Sequence, residues 1–146
     1  MATFYGVNNA KGRTSPPTMA DNGQAGGRVR AITDTYTVTS ATHGNGTILT
    51  MGRNQLPKDA TVLGVRVGMA GTSAGTGRTL SVGYTGAATA FINAGAVATT
   101  GLVLNKSVGA GVAFRMPASA HIICTTGGGA FATGAIINIE VEYTID

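Results

Sequence analysis

AIINIEVEYTID, residues 135 to 146, is the stretch on which the fold turns. Ile137, Ile139, Val141, Tyr143 and Ile145 fall on one side of an extended chain, and Asn138, Glu140, Glu142 and Thr144 on the other. Side chains of a strand point alternately to opposite faces, so apolar residues at intervals of two describe a strand with one face in a core. A helix would spread the same residues around its whole circumference.

Working outward, the pattern recurs. In RVRAITDTYTVTS (28–40), Ile32, Asp34, Tyr36 and Val38 share a face, with Thr33, Thr35, Thr37 and Thr39 opposite. GTILTMG (46–52) is a short second strand. ATVLGVRVGM (60–69) is a third, with Leu63, Val65 and Val67 together and Gly64 and Arg66 opposite. GRTLSVGYT (77–85) alternates Leu80, Val82 and Tyr84, and VAFRM (112–116) alternates Val112, Phe114 and Met116. GLVLN (101–105) is weaker, and HIICTT (121–126) runs on as a buried strand. HGNG, LPKD, MPAS and GGG punctuate the series with turn-forming residues. The best helical candidate, TAFINAGAVATT (89–100), is interrupted by Gly95 and is rich in β-branched residues, which disfavours a helix. About eight short strands with such turns predict an all-β protein, a jelly-roll-like β-sandwich, with an up-and-down barrel as the competing architecture.

The chain divides into residues 1–27, an extended N-terminal arm, and residues 28–146, a single sandwich domain. The arm, MATFYGVNNAKGRTSPPTMADNGQAGG, sustains neither period and is broken by Asn-Asn, Pro-Pro, Asn-Gly and Gly-Gly. Phe4 and Tyr5, two of only eight aromatics, stand near its tip. They either anchor the arm in a neighbour or pack on their own domain. Residues 1 to 30 carry Lys11, Arg13, Arg28 and Arg30 against Asp21, a net of +3 in a chain of net +4. That density is too low for a nucleic-acid arm, because counterion release rewards many simultaneous phosphate contacts.

Only 11% of the residues are charged, against about 25% in an ordinary soluble domain. A surface so poor in charge is expected to spend part of its area against other molecules. Cys124, the sole cysteine, excludes an internal disulfide and reads as a small buried hydrophobe. No apolar run reaches the ~18 residues of a membrane helix, and the N-terminus lacks the order of a secretory signal. A soluble protein made in a reducing compartment is expected, with no membrane partner.

GTSAGTGRTLSVGYTG (71–86) raises the question of a phosphate loop. The Walker pattern needs G-x-x-x-x-G-K-[ST] opening a helix. Here Gly71, Gly75 and Gly77 are wrongly spaced, Arg78 replaces lysine, and TLSVGYT alternates as a strand. The dinucleotide pattern fails at Leu80. A hairpin connection between two strands is the expected role, and no cofactor is predicted. His43, in a turn, and His121, at a strand start, read as plain turn or surface residues. Glu140 and Glu142 stand roughly 7 Å apart on one strand face, a spacing compatible with paired acid–base work on a sugar. That face is the solvated one, so the pair is expected to be inert. Two separated histidines do not make a metal site. No catalytic residue is predicted.

LPKDATVLGVRVGMAG (56–71) followed by GRTLSVGYTGAATAFI (77–92) resembles the central part of small capsid decoration, or cement, proteins of tailed bacteriophages. The resemblance rests on the "LPK-A" turn into a strand and on "TLSVG" followed by a segment ending Ala-Phe-Ile, over residues 56 to 69 and 78 to 92. It implies a jelly-roll virion protein, made in the host cytoplasm, that binds the outer surface of an icosahedral shell. The major capsid protein would be its partner, with self-association as a dimer ahead of a trimer. It supplies no catalytic residues. The loose arm then makes Phe4, Tyr5, Lys11, Arg13, Arg28 and Arg30 the candidate capsid contacts. The rival from another class is a carbohydrate- or receptor-binding β module of a phage fibre or lectin-like protein. It would want aromatic platforms, and the chain has no Trp.

Overall fold

The structure, a computed structural model, describes residues 3–6, 29–40, 43–101, 103–107 and 114–145. These form ten strands: β1 (Thr3–Tyr5), β2 (Val29–Thr37), β3 (Ile48–Leu56), β4 (Thr61–Gly71), β5 (Thr79–Tyr84), β6 (Ala87–Ala96), β7 (Val103–Ser107), β8 (Phe114–Arg115), β9 (Ala120–Gly127) and β10 (Ala135–Thr144). They build two sheets, one ordered β1-β3-β9-β5-β6 and the other β2-β10-β4-β7, with β8 also pairing to β4. This is a jelly-roll-like β-sandwich.

β10 lies between β2 and β4, and its alternation is complete: Ile137, Ile139, Val141 and Tyr143 are buried. Ile145 lies past the strand end and is exposed. From the facing sheet Leu49, Met51, Leu80, Val82, Ile122 and Cys124 close the core. Each such side chain contributes roughly 1.5–3 kcal/mol on burial, which is why the two-residue period governs the fold.

Two expectations fail, each for a backbone reason. Leu63 does not face the core with Val65 and Val67. The β4–β10 register runs from Gly64↔Glu142 to Val62↔Tyr143, so Leu63 is the extra residue of a bulge. Val62 turns inward at 0% exposure and Leu63 outward at 39%. Bulges break the alternation that the expectation assumed.

The segment 89–100, disfavoured as a helix, belongs mostly to β6, the partner of β5 in a hairpin turned at Thr85–Gly86. Register shifts on both sides of Val82 and a positive φ of 47° at Ala94 blur its period. Finally, residues 71–78 bend but do not make a hairpin. They carry the chain from β4 in one sheet to β5 in the other. Gly71, Gly75 and Gly77 adopt positive φ there, a region open to glycine at little cost.

Candidate functional site

The corner where β2 and β3 approach each other holds the unusual polar chemistry of the fold. His43 is not a surface turn residue: it is fully buried. Its Nδ1 lies 2.8 Å from the Ser40 carbonyl oxygen and its Nε2 lies 2.5 Å from the Tyr36 hydroxyl. A carbonyl only accepts, so Nδ1 carries the proton, and Nε2 accepts from Tyr36 Oη. Burial raises the Tyr36 pKa, an effect the hydroxyl of Thr39 moderates, and the phenol therefore remains the donor at neutral pH. Both imidazole nitrogens are engaged, so His43 has no nitrogen to offer a ligand.

Phe4 stacks over this pair. Its ring centroid is 4.2 Å from that of His43 and 6.3 Å from that of Tyr36. β1 lies parallel to β3, with Phe4 opposite Leu49 and Tyr5 opposite Thr50, and Gly6 N–H donates to the Thr50 carbonyl at 2.7 Å. Phe4 thus packs on its own domain, whereas Tyr5 is exposed.

Asp34 completes the corner. It is 4% exposed, and its Oδ2 accepts the Gly52 N–H at 2.8 Å across the gap between sheets. Gly52 has φ 74° and stands where the β3–β9 register breaks after Met51. The carboxylate supplies the acceptor that an irregular, buried N–H requires. Gly6 lies so close that a Cβ there would come within 2.2 Å of Asp34 Oδ2, which only glycine avoids.

Arg30 is exposed at the start of β2, opposite Tyr143 of β10. Lys11, Arg13 and Arg28 lie outside the described residues, as does the proposed arm boundary at 27/28. The structure therefore brings Phe4 and Tyr5 together on β1 and sets Arg30 elsewhere, on β2. Reading the sequence for function missed His43 and Asp34. Asp34 carried a signal, a lone carboxylate on the apolar face of Ile32, Tyr36 and Val38.

Elsewhere, polar groups serve the scaffold. Arg66 Nη1 lies 3.1 Å from Glu140 Oε1 and 3.4 Å from Glu142 Oε1, on the outward face of the second sheet. Arg78, which stood in the place of a phosphate-loop lysine, donates instead to the carbonyls of Ala130 (2.7 Å), Thr76 (3.1 Å) and Gly128. Burial, with a smaller contribution from the Asp34 charge, pushes the Cys124 thiol up to about 12, so it remains a thiol. Among the described residues no three His, Cys, Asp or Glu side chains converge as a metal site, and no helix is long and apolar enough to cross a membrane.

No family model and no curated protein matches the chain. Its fold does match solved structures. A chain in the capsid of Ralstonia phage GP4 superposes with a TM-score of 0.70 at 18% identity, covering 99% of both chains. A chain of the cyanophage Pam1 capsid asymmetric unit gives 0.61 at 21% identity, covering 92% of this chain and 97% of that one. A chain in the acid-stable capsid of Helicobacter pylori bacteriophage KHP30 gives 0.61 at 13% identity, with coverages of 83% and 90%. Over most of its length, the protein has the sandwich fold of chains found in three bacteriophage capsids.

Proposed function

We propose that this is a non-enzymatic virion structural protein that binds the outer surface of a bacteriophage icosahedral capsid and staples neighbouring major capsid protein subunits. The observation that carries the reading is the end-to-end match of the fold, 99% of both chains, to a chain within a phage capsid. The surface chemistry supports it. With 11% charged residues, the exterior is suited to contact with other subunits, and two or more modest contacts made at once hold a staple through high effective concentration. Self-association as a dimer, ahead of a trimer, fits the same low-charge exterior.

The carbohydrate-binding alternative loses ground on the placement of aromatics. All eight lie among the described residues, and Tyr5 alone is exposed. Phe4 stacks on Tyr36 and His43, while Tyr84, Phe91 and Phe114 pack on one another with centroids 5.7–6.0 Å apart. A single ring is a poor sugar platform.

Co-sedimentation with undecorated empty shells of the phage that carries the protein tests the proposal. Saturable binding at high, stoichiometric copy number, with greater heat resistance of the shells, is expected. Protein that stays in the supernatant at micromolar concentration, or that occurs in virions at only a few copies, overturns it. Removal of residues 1–27 is expected to leave a less stable sandwich that no longer binds. Undiminished binding would take the arm out of the mechanism.

A further inference from the structure

β1 differs from every other strand of the sandwich. Its pairing with β3 is parallel, while all other pairings among the described strands are antiparallel. It sits at the edge of its sheet, three residues long, and is held by a short backbone ladder and one inserted ring, Phe4. Its seat on the sandwich is shaped for it. Tyr36 and His43 form the floor under Phe4, and the contact with Asp34 leaves no room for any residue but glycine at position 6.

The chain between this strand and the next described one is far longer than the path requires. Gly6 lies against Asp34, and Val29 is five residues from Asp34 along β2, so the gap to be bridged is roughly 17 Å at 3.3 Å per residue. The 22 residues from 7 to 28 reach roughly 75 Å when extended. Connections beyond about 12–15 residues are uncommon within a domain unless they serve a purpose of their own. A surplus of this size changes what the strand can reach. Because loop-closure entropy grows only with the logarithm of length, docking on a neighbour within that radius costs little more than docking at home.

We infer that β1 is an exchangeable strand: in the assembled protein, residues 3–6 of one copy occupy the seat formed by β3, Tyr36, His43 and Asp34 of a second copy. The partner is another molecule of this chain. Every contact of the seat is retained, because an exchanged strand makes in a neighbour the contacts it makes at home. A parallel strand added from another chain also needs no crossover connection within its own sheet. This deepens the self-association proposed above and rests on it. The edge of β3 would act as the socket and the long connection as the tether that joins neighbouring copies.

Directed disulfides decide the question. Tyr5 and Thr50 are register partners, so cysteines at these positions fall within bonding reach when the strand is seated, and Cys124 is buried out of reach. A chain with Tyr5→Cys and a differently tagged chain with Thr50→Cys are co-expressed, purified as the assembly and oxidised. Exchange predicts a disulfide between the two tags in most of the mixed molecules. The double variant Tyr5→Cys/Thr50→Cys would then form covalently closed oligomers on a non-reducing gel. Bonds only within the chain of the double variant, with none between the tags, overturn the inference. If Thr50→Cys does not fold, Thr3→Cys with Ile48→Cys asks the same question at another step of the ladder. Sedimentation velocity on the same samples separates the two claims. An oligomer carrying only intrachain bonds refutes exchange alone, whereas a monomer at all concentrations refutes self-association as well.

Discussion

The Tyr36–His43 contact can be tested by a double-mutant cycle. His43→Phe keeps a ring of similar size under Phe4 but removes the imidazole acceptor of the buried Tyr36 hydroxyl and the Nδ1–H donor to the Ser40 carbonyl. Tyr36→Phe leaves Nε2 of a fully buried imidazole without a donor. An orphaned buried polar group costs about 1–3 kcal/mol, so each single variant is expected to lose about that much. Simple addition would give the pair roughly 2–6 kcal/mol. The double variant instead removes donor and acceptor together, so it is expected to fall short of the sum by about 1–2 kcal/mol. Urea unfolding monitored by circular dichroism gives each value. For a chain of this size 1 kcal/mol moves the melting temperature by about 2–4 °C, so thermal scans provide a second reading. Additivity within about 0.5 kcal/mol would mean that the two groups do not share a hydrogen bond, and the role of Nε2 as acceptor from Tyr36 would fall with it.

Three further outcomes are expected. Arg78→Ala should cost about 1–3 kcal/mol in urea unfolding, because the carbonyls of Ala130, Thr76 and Gly128 lose a shared cationic donor; an unchanged midpoint would refute the clamp. Cys124 is held protonated up to about 12 in the folded state, against 9.0 for an ordinary thiol. A raised pKa stabilises fully below the unfolded value, so stability should decline from pH 9 upward with a slope approaching about 1.4 kcal/mol per pH unit. Cys124→Ala should reduce that slope, and an equal slope in the variant would show that the decline has another source. Glu140→Gln with Glu142→Gln should change stability by less than about 1 kcal/mol and leave shell co-sedimentation intact, as befits exposed ion pairs; lost co-sedimentation would place the shell contact on that face.

How much of this was legible in the sequence depended on how regular the backbone is. β10 could be read residue by residue, because it is a central strand whose apolar side lies wholly in the core. β2 was equally legible although it is an edge strand, because Ile32, Asp34, Tyr36 and Val38 all face inward. β4 was legible except at Leu63, where a bulge inserts one residue and inverts the side-chain order. β6 escaped because bulges and the left-handed Ala94 erase its period, and no local residue announces them. The candidate site was harder to read. Its members Phe4, Asp34, Tyr36, His43 and Gly52 are dispersed through the first 52 residues, and only pairing of β1 with β3 brings Phe4 over His43. His43 sits in a loop that does turn, as HGNG predicts, but its burial is set by long-range contacts such as the Phe131 N–H on its carbonyl.

The placement of the buried polar groups bears on function as well as on folding. A catalytic cluster leaves at least one strong acceptor or donor free to meet a substrate. Here Asp34 accepts the Gly52 N–H at the point where β3 leaves its ladder, and His43 is engaged at both nitrogens. These are the groups needed to close a sandwich corner at which a bulged strand meets an edge strand. Their burial is completed by Phe4 and Gly6 of a strand that arrives on a long tether. The integrity of the corner therefore depends on whichever chain delivers that strand. If a neighbour delivers it, assembly and the stability of each subunit become a single equilibrium, because binding to the folded state alone stabilises that state by mass action. A protein stabilised in this way is most stable where its copies are crowded.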